Sequence, residues 1–454
     1  MGVMGHSLAL NFERNGYRVI GYDPYPNLPP GFPVKMAATV EEVVNALETP
    51  RVVLMMVPAG APVDIAIKSL REVMQPGDII IDGGNSYFLD TSRRARELES
   101  HGIHYIGMGV SGGESGALYG PSLMPGGSQP AWERVQPMLR AIAAKADDGE
   151  PCVAWMGPEG AGHYVKMVHN GIEYGDMELI AEVYDLLHRG AGLSNVALAD
   201  LFQRWNEGPL HSYLIEITSK VLRHIDKETG KPLVDLILDV AGQKGTGRWT
   251  SQNALEIGAP TPTIDSAVVA RLVSTRKETR AAVARVMGEA QGNPGDADAL
   301  TAAAEAALYA SKITAYAQGI DLLQTAGKTY NWNLDIAAIV RVWRAGCIIR
   351  AALLEDIAAA VERHPDLPHL YLDDFFAKAV RSRQAGWRDI VKAGVSAGIP
   401  LPAISSALAY FDAMRSTRLP ANLIQGQRDF FGAHTFRRID KDGIFHDQWG
   451  QAES

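Results

Sequence analysis

The chain of 454 residues is too long for one ordinary hydrophobic core, so two or three domains are expected. Hydrophobic residues make up 46% and charged residues 21%, the balance of a globular protein rather than a disordered one. The net charge of −9 disfavours nucleic acid as the main partner. The distant Cys152 and Cys347 predict neither a disulfide framework nor a zinc site, and without a signal peptide or an apolar run of membrane-spanning length the predicted location is the cytoplasm.

Residues 1–157 alternate short apolar runs with amphipathic segments. This alternation is typical of an α/β doubly wound, Rossmann-like domain built on a parallel sheet, which we assign to residues 1–160. The predicted strands span residues 17–23, 51–57, 78–84, 104–110 and 152–157. The predicted helices begin with the segment after Gly5 and continue with residues 39–47, 62–74 and 91–102.

The rest of the chain has a different character. Residues 161–419 are rich in Ala, Leu and Ile with few strand signals, which predicts a large all-α domain. Residues 182–208 resemble residues 319–346, and Trp205 and Trp343 occupy equivalent places, so we expect a diverged internal repeat. The tail, residues 420–454, is aromatic and lacks helical periodicity, so we expect an extended segment without helices that docks on another surface.

One segment of the expected helical domain carries unusual side chains. Lys166, His169, Asn170, Glu173 and Tyr174 fall at i, i+3, i+4, i+7 and i+8, which places all five on one helix face. A solvated face with i,i+4 pairs is the commoner fate of charged residues. The residues between these five are largely apolar, however, so we interpret the face as a cleft wall that performs proton chemistry.

Three segments have the composition of nucleotide-binding loops. Residues 2–5 open a predicted helix, Asp23 ends the first predicted strand, and residues 57–59 lie at the end of the second predicted strand. An acidic residue after the strand can accept hydrogen bonds from an adenine ribose, although a turn residue before Pro24 is the simpler reading of the same aspartate. The candidate cofactor residues are Gly2, Val3, Met4, Gly5, Asp23, Val57, Pro58, Ala59 and Asn85.

Glycine is concentrated after the fourth predicted strand. Residues 109–127 hold seven glycines, and Asn85 follows two more at the end of the preceding strand. Glycines at such places admit close backbone approach, so we expect backbone N–H groups to line a pocket for an anion or a carboxylate. A flexible loop is the alternative, but the bulky side chains inside the run disfavour it.

Four long motifs together resemble the 6-phosphogluconate dehydrogenase family. They are GVSGGESGALYGPSLMPGG (109–127), KMVHNGIEYGDM (166–177), DVAGQKGTGRWT (239–250) and QRDFFGAHTF (427–436). The resemblance spans nearly the whole chain. It implies oxidative decarboxylation of 6-phospho-D-gluconate to D-ribulose 5-phosphate and CO2, a step of the pentose phosphate pathway, with NAD or NADP as cofactor and no metal. It also implies a homodimer in which each tail reaches the other subunit.

The resemblance assigns roles residue by residue. Lys166 matches the general base and Glu173 the general acid. The tail residues Arg428 and His434 match residues that reach the neighbouring subunit's substrate. The complete set of implied substrate-binding residues is Asn85, Ser111, Gly112, Gly113, His169, Asn170, Tyr174, Lys244, Thr246, Arg271, Arg428 and His434.

The sequence departs from the family's pattern in two ways. NADP-using members carry an Asn-Arg-Ser/Thr type sequence where this chain has Asp23-Pro24-Tyr25, and a lysine where it has Pro58, so we expect a preference for NAD. The first strand and first glycine of the nucleotide fold are missing before Gly2. We therefore expect the natural chain to begin roughly ten residues upstream.

Two other functions remain open from the residues. Another β-hydroxyacid dehydrogenase, such as one acting on 3-hydroxyisobutyrate, shares the glycine loop and the lysine but lacks the second helical repeat and the Arg/His tail. A non-catalytic protein that binds a nucleotide or a sugar phosphate would follow from loss of the first strand. The presence of both Lys166 and Glu173 favours an enzyme.

Overall fold

The computed structural model describes residues 2–26, 28–29, 31–289, 292 and 295–450. The chain forms two compact units, residues 1–407 and residues 408–454. Among the described residues, no helix combines the length and apolar character needed to cross a bilayer.

Six strands lie among the described residues up to Gly127, as expected for a Rossmann-like domain. They are β1 (Ile20–Gly21), β2 (Lys35–Met36), β3 (Val52–Met55), β4 (Ile79–Asp82), β5 (His104–Ser111) and β6 (Ser122–Gly127). β1 and β2 form a two-stranded parallel sheet, and the other four form a second sheet in the order β3-β4-β5-β6. Within that second sheet only the β5–β6 pair is antiparallel.

The helices of the first domain are α1 (Val3–Arg14), α2 (Val40–Asn45), α3 (Ala61–Arg71), α4 (Phe88–Glu99), α5 (Gly113–Tyr119) and α6 (Gln129–Ile142). Sequence signals explain several of their starts. The Thr39 hydroxyl accepts from the backbone N–H of Glu42, and the Glu42 carboxylate accepts from the N–H of Ala38, which is close to a capping box. The predicted helices therefore lie where the amphipathic segments placed them.

Two predictions about strands were wrong. Residues 152–157 form no strand: Val153 makes an isolated bridge with Leu123, and the backbone bonds of this segment are divided between β6 and Ala144. β6 itself was not predicted, because its sequence SLMPGG has the glycines and proline of a loop. It pairs along its whole length with β5, from Ser122 opposite Ser111 to Gly127 opposite Ile106.

The helical region begins with α7 at residue 161. The bounds of 161 and 419 for this domain stay a prediction. Its helices are α7 (Ala161–Asp185), α8 (Asn195–Trp205), α9 (Tyr213–Arg223), α10 (Thr246–Ile257), α11 (Pro262–Ser274), α12 (Lys277–Met287), α13 (Ala297–Thr329), α14 (Ile336–Val342), α15 (Leu353–Arg363), α16 (Asp374–Ala397) and α17 (Pro402–Met414). A π-helical turn, Leu186–Gly190, extends α7.

The predicted internal repeat corresponds to two similar helix pairs. In each, a long helix (α7 or α13) precedes a short one (α8 or α14), and the two tryptophans, Trp205 and Trp343, are buried at the ends of the short helices. The long helices pack against each other and are joined by a buried ion pair between Asp176 and Lys312.

Glycines allow α7 to lie directly on β5 and β6. A Cβ on Gly109 would come within 2.3 Å of the Lys166 Cβ, and a Cβ on Gly126 would come within 2.3 Å of the Gly162 nitrogen. Real side chains do not tolerate such distances, so these positions require glycine. Part of the glycine-rich run thus serves helix–sheet packing, a role that differs from the pocket lining expected from its composition.

The second unit contains α18 (Ala421–Gly432), so the expectation that the tail lacks helical structure was wrong. After α18 the chain folds back around the buried Asp429. Its carboxylate accepts from the backbone N–H groups of Thr435 and Asp447 and from the Trp449 indole, and it contacts His446. One acidic side chain therefore joins residues of α18 and of the chain that follows it.

Candidate active site

The predicted polar face of α7 is real, and it is buried. Lys166 is 6% exposed, and its Nζ donates to Asn170 Oδ1 at 2.7 Å and lies 3.3 Å from His169 Nδ1. His169 is fully buried, and its Nε2 lies 3.3 Å from the Ser111 hydroxyl at the end of β5. Glu173 is one turn further along, with a carboxylate oxygen 3.7 Å from His169 Nδ1. Helical spacing therefore brings these side chains together at the edge of the sheet.

Burial shifts the protonation of this group. It lowers the pKa of Lys166 below its ordinary value, against the opposing charge of Glu173. It lowers the pKa of His169 well below its usual range, and the Lys166 charge adds to that effect, so the imidazole is neutral. Burial also raises the pKa of Glu173, although Lys166 and Arg271 oppose the shift. A lysine poised to lose its proton thus lies near a carboxyl group poised to keep one.

Asn170 connects this group to a second helix. Its amide nitrogen donates to Thr246 Oγ1 at 2.8 Å, and Thr246 is the first residue of α10. The preceding Gly245 has φ +101°, the left-handed conformation that favours glycine. Gly171 lets α10 approach closely, because a Cβ there would meet the Thr250 side chain at 2.6 Å. The predicted residues Asn170 and Thr246 are therefore direct neighbours.

Tyr174 and Arg271 form the next layer of the site. The Arg271 guanidinium carbon lies 3.5 Å from the centroid of the Tyr174 ring, and both residues are at most 9% exposed. Arg271 Nη1 donates to the Gly242 carbonyl at 3.3 Å. The guanidinium is thus oriented by stacking, by this backbone bond and by the contact of Nη2 with Met177 Sδ at 3.4 Å. It forms no ion pair with a carboxylate of the described residues, which suits a cation that receives an anionic ligand.

Lys244 is exposed on the loop before α10, two residues ahead of Thr246. Gly112 and Gly113 follow Ser111 and have φ +122° and +62°, so both need glycine. In the second unit, Arg428 is exposed on α18 with its Nη1 donating to Gln425, and His434 follows the end of that helix. Within one chain, the predicted residues of α7, β5 and α10 therefore contact one another. Arg428 and His434 lie in the second unit.

The nucleotide candidates lie at the expected ends of the first elements. α1 starts directly after Gly2 with no side-chain cap and no acidic residue in its first turn, so its first N–H groups suit a pyrophosphate. Val57, Pro58 and Ala59 follow β3, and Asn85 follows β4. Asp23 comes after β1 and accepts from the Tyr25 N–H at 2.8 Å, so it does act as a turn residue. These residues fit a bound dinucleotide.

Sequence reasoning missed one contributor to the site. The ring of Trp343 packs against the ring of His169 at 5.8 Å between centroids, and a Cβ on Gly112 would lie 2.6 Å from the Gly346 carbonyl oxygen. The turn after α14 thus supports both the imidazole and the glycine loop. The only signal in the sequence is the internal repeat, in which Trp205 and Trp343 are each followed by x-x-Gly. In the part of the chain that the structure describes, no group of three or more His, Cys, Asp or Glu side chains is placed to hold a metal ion.

A Rossmann-like domain joined to a helical domain with a buried lysine defines a pyridine-nucleotide-dependent dehydrogenase. Residues 1–157 match the family described as the NAD binding domain of 6-phosphogluconate dehydrogenase. Residues 162–449 match the family described as the 6-phosphogluconate dehydrogenase C-terminal domain. The chain belongs to the 6-phosphogluconate dehydrogenase family.

Similar proteins match over nearly their full length. The NADP(+)-dependent, decarboxylating 6-phosphogluconate dehydrogenase of Bacillus subtilis (strain 168) is 50% identical, over 99% of this chain and 97% of that protein. The decarboxylating enzyme of Escherichia coli (strain K12) has the same identity and coverage. Among solved structures, the 6-phosphogluconate dehydrogenase of Plasmodium falciparum has a TM-score of 0.94 and 41% identity, over 99% of this chain and 98% of that one.

Proposed function

We propose that this protein catalyses the oxidative decarboxylation of 6-phosphogluconate to ribulose 5-phosphate and CO2 with reduction of a pyridine nucleotide. The observation that carries the proposal is the buried pair of Lys166 and Glu173, whose pKa values are shifted in opposite directions on one face of α7. One group is suited to take a proton and the other to give one. The 50% identity to decarboxylating relatives over the full chain supports the same reaction.

Lys166 is the general base in this proposal. Its lowered pKa increases the neutral fraction, which takes the proton of the substrate's C3 hydroxyl. The hydrogen bond to Asn170 Oδ1 fixes where Nζ points. After this step Lys166 is an ammonium, and it can polarise the new C3 carbonyl so that the β-keto acid loses CO2.

The bound nicotinamide supplies a hydride acceptor for C3. The residues suited to hold that cofactor are the N-terminal segment of α1 from Gly2 to Gly5, Asp23, and the loop from Val57 to Ala59. In the Plasmodium falciparum study, the related enzyme was seen in complex with its cofactor NADP+ and with its substrate 6-phosphogluconate. We infer the same two classes of ligand here.

Glu173 is the general acid. Its raised pKa keeps a larger fraction protonated near neutral pH, and its side chain is 20% exposed, so it can reach a ligand. It supplies the proton at C1 of the enediol that decarboxylation leaves. Since the proton is needed only after CO2 has left, Glu173 acts late in the sequence of steps.

The substrate's phosphate requires cationic and hydroxyl donors. Arg271 and Tyr174 provide a stacked pair of side chains. Lys244 is a long cationic side chain two residues before α10, and Thr246 is the first residue of that helix. We assign Asn85, Ser111, Gly112, Gly113, His169 and Asn170 to the sugar-acid end, where the glycines leave room for a carboxylate. Arg428 and His434 complete the site from the neighbouring subunit.

We propose that NAD is the preferred nucleotide. Asp23 can accept from a ribose 2′-OH, whereas it would repel a 2′-phosphate, and Pro58 offers no cation there. The named Bacillus subtilis relative is NADP(+)-dependent, so the preference has to be measured on this chain. Comparing kcat/KM for the two nucleotides should favour NAD by at least about tenfold, and Asp23→Asn should narrow the ratio. A ratio that favours NADP would contradict the assignment.

We propose that the functional unit is a homodimer with exchanged tails, residues 420–454. Two surfaces support it. α12 exposes Val283 (53%), Val286 (83%) and Met287 (78%), an apolar face that a second subunit would cover. α18 exposes Phe430 (55%) and Phe431 (72%) beside Arg428.

Complementation between defective chains tests the exchange. Lys166→Met and Arg428→Ala chains should each be weakly active alone. In their heterodimer, one of the two sites would combine a native Lys166 with a native Arg428 from the partner, so activity should return. A purified heterodimer without recovery would rule out tail exchange while leaving the reaction itself untouched.

The reaction is tested by following nicotinamide reduction with the native protein. With 6-phosphogluconate we expect stoichiometric CO2 and ribulose 5-phosphate, and with 3-hydroxyisobutyrate no comparable rate. Turnover of 3-hydroxyisobutyrate alone would favour the related β-hydroxyacid dehydrogenases. Binding of nucleotide without turnover of either substrate would favour the non-catalytic alternative.

A further inference from the structure

The turn between β4 and α4 is organised around a buried charge. Asp82, the last residue of β4, is 0% exposed, while Asn85 three residues later is exposed. A carboxylate removed from water is costly unless its oxygens are fully bonded. The hydrogen-bond partners of Asp82 therefore indicate which part of the structure its buried charge supports.

Two of those bonds come from the turn itself. The backbone N–H of Gly84 donates to Asp82 Oδ1 at 3.0 Å, and the Ser86 hydroxyl donates to Oδ2 at 2.6 Å. Gly84 and Ser86 are the residues on either side of Asn85. The carboxylate thus holds the backbone before Asn85 and the side chain after it, so the position of Asn85 depends on both bonds.

The third bond comes from a different element. The Tyr105 hydroxyl on β5 donates to Asp82 Oδ2 at 3.0 Å. Burial and the neighbouring Asp82 charge raise the pKa of Tyr105 well above its ordinary value, so the hydroxyl remains a donor. This bond anchors Asp82 to the sheet and touches no residue of the turn.

The turn is also fixed against the loop after β3. The N–H of Gly83 donates to the Met55 carbonyl at 2.9 Å, and a Cβ on Gly84 would lie 2.8 Å from the Val57 carbonyl oxygen. Val57 begins the segment assigned to the nucleotide. Asn85 therefore stands beside that loop, at a place where a small shift would alter contacts to two ligands.

We propose that Asp82 is a positioning residue which, through Gly84 and Ser86, holds Asn85 in the place where it contacts substrate and nucleotide. The proposal rests on the proposed function, in which Asn85 binds both ligands. An asparagine on an exposed turn would otherwise sample several positions, and a misplacement of about 1 Å can cost on the order of a hundredfold in rate. Loss of one of the two turn bonds should cost less, roughly tenfold in kcat/KM.

A double-mutant cycle in the full-length protein tests this. Ser86→Ala removes one turn bond, and Asn85→Ala removes the residue being positioned. Ser86→Ala should lower kcat/KM for 6-phosphogluconate roughly tenfold and raise the KM for nucleotide. In the Asn85→Ala background the same substitution should change kcat/KM by less than about twofold, because nothing remains to be positioned.

Tyr105→Phe is the matched control. It removes a hydrogen bond to the same carboxylate oxygen but leaves both turn bonds in place. It should lower the urea midpoint at least as much as Ser86→Ala while changing kcat/KM by less than about threefold. If the role of Asp82 were purely structural, kcat/KM would fall in proportion to the urea midpoint in both Ser86→Ala and Tyr105→Phe.

Each outcome has a distinct meaning. The positioning role is overturned if Ser86→Ala lowers kcat/KM by the same factor in the native protein and in the Asn85→Ala background. It is also overturned if Tyr105→Phe lowers kcat/KM as much as Ser86→Ala does. If Asn85→Ala alone leaves the kinetics unchanged in an enzyme that turns over 6-phosphogluconate, the positioning role is again overturned, but the proposed function stands. If the native protein does not turn over 6-phosphogluconate, the proposed function itself fails.

Discussion

Replacing Lys312 with methionine should destabilise the helical domain strongly. Lys312 Nζ lies 2.6 Å from both carboxylate oxygens of Asp176, and the two side chains are 2% and 1% exposed. Methionine keeps most of the packing volume, so the loss is mainly electrostatic. Asp176 would be left as a buried charge without its cation.

The magnitude follows from the burial. Removing one partner of a buried ion pair costs about 3–5 kcal/mol. A whole domain is stable by only about 5–15 kcal/mol, so the variant should unfold at a much lower urea concentration. The effect should extend to the active site. Burial raises the pKa of Glu173 and the charge of Asp176 adds to that shift, and in the variant the Asp176 charge would lose its counterion.

Urea unfolding at fixed protein concentration measures the loss, since dimerisation would otherwise contribute to the midpoint. The double variant Asp176→Leu/Lys312→Met serves as the control. It removes both charges and should recover most of the stability, because apolar residues replace buried pairs with little net cost. A cost below about 1 kcal/mol for Lys312→Met, or a double variant no more stable than the single one, would refute the reasoning.

Three further substitutions probe the site and its surroundings. Glu173→Gln should lower turnover by about 10²–10⁴ while sparing hydride transfer in a single-turnover experiment, and equal losses in both steps would contradict a late acid. Gly109→Ala should lose activity and about 1–3 kcal/mol of stability, because its Cβ would lie 2.3 Å from that of Lys166, and normal melting would contradict the packing. Burial raises the pKa of Glu182 to about 8, so the stability that its protonated form contributes is present below the unfolded value of 4.5 and lost as the pH rises through about 8. The melting temperature should therefore fall between about pH 4.5 and pH 8 in the native protein and less in Glu182→Gln, and parallel pH profiles would contradict this.

The local part of the site was predictable because helix geometry is regular. The spacing of Lys166, His169 and Asn170 alone placed them on one face, and the structure has them within hydrogen-bonding distance of one another. The alternation of apolar runs likewise placed β3, β4 and β5, of which β4 is buried throughout and β5 at every residue but its first.

The long-range part was not predictable from pattern. The contact of Trp343 with His169 joins residues far apart in sequence, and no periodicity encodes it. β6 was missed because a strand rich in glycine has no β propensity, and its Gly126 serves a contact with α7 that only the folded structure reveals. The role of Asp82 was missed for a related reason. The run IIIDGGNS pointed to the exposed Asn85, whereas the bond that anchors Asp82 to the sheet comes from Tyr105 on another strand.

The tail is a further part of the chain whose structure the hydrophobic pattern did not predict. Its sequence from residue 421 has no apolar stripe strong enough to predict a helix, yet α18 forms there. The segment is then closed by Asp429, which bonds to residues up to Trp449. Hydrogen bonds to one buried carboxylate are invisible to a hydrophobic pattern, so the composition indicated only that the tail would dock.

The most direct test of the proposed chemistry is the Lys166→Met variant assayed with 6-phosphogluconate and both nucleotides. The native protein should reduce the nucleotide and release CO2, and the variant should lose a factor of about 10²–10⁴ in turnover. The native circular dichroism and melting curve should be kept, because methionine fills the same buried space. Near-normal turnover in this variant, with the fold intact, would contradict the assignment of Lys166 as the base.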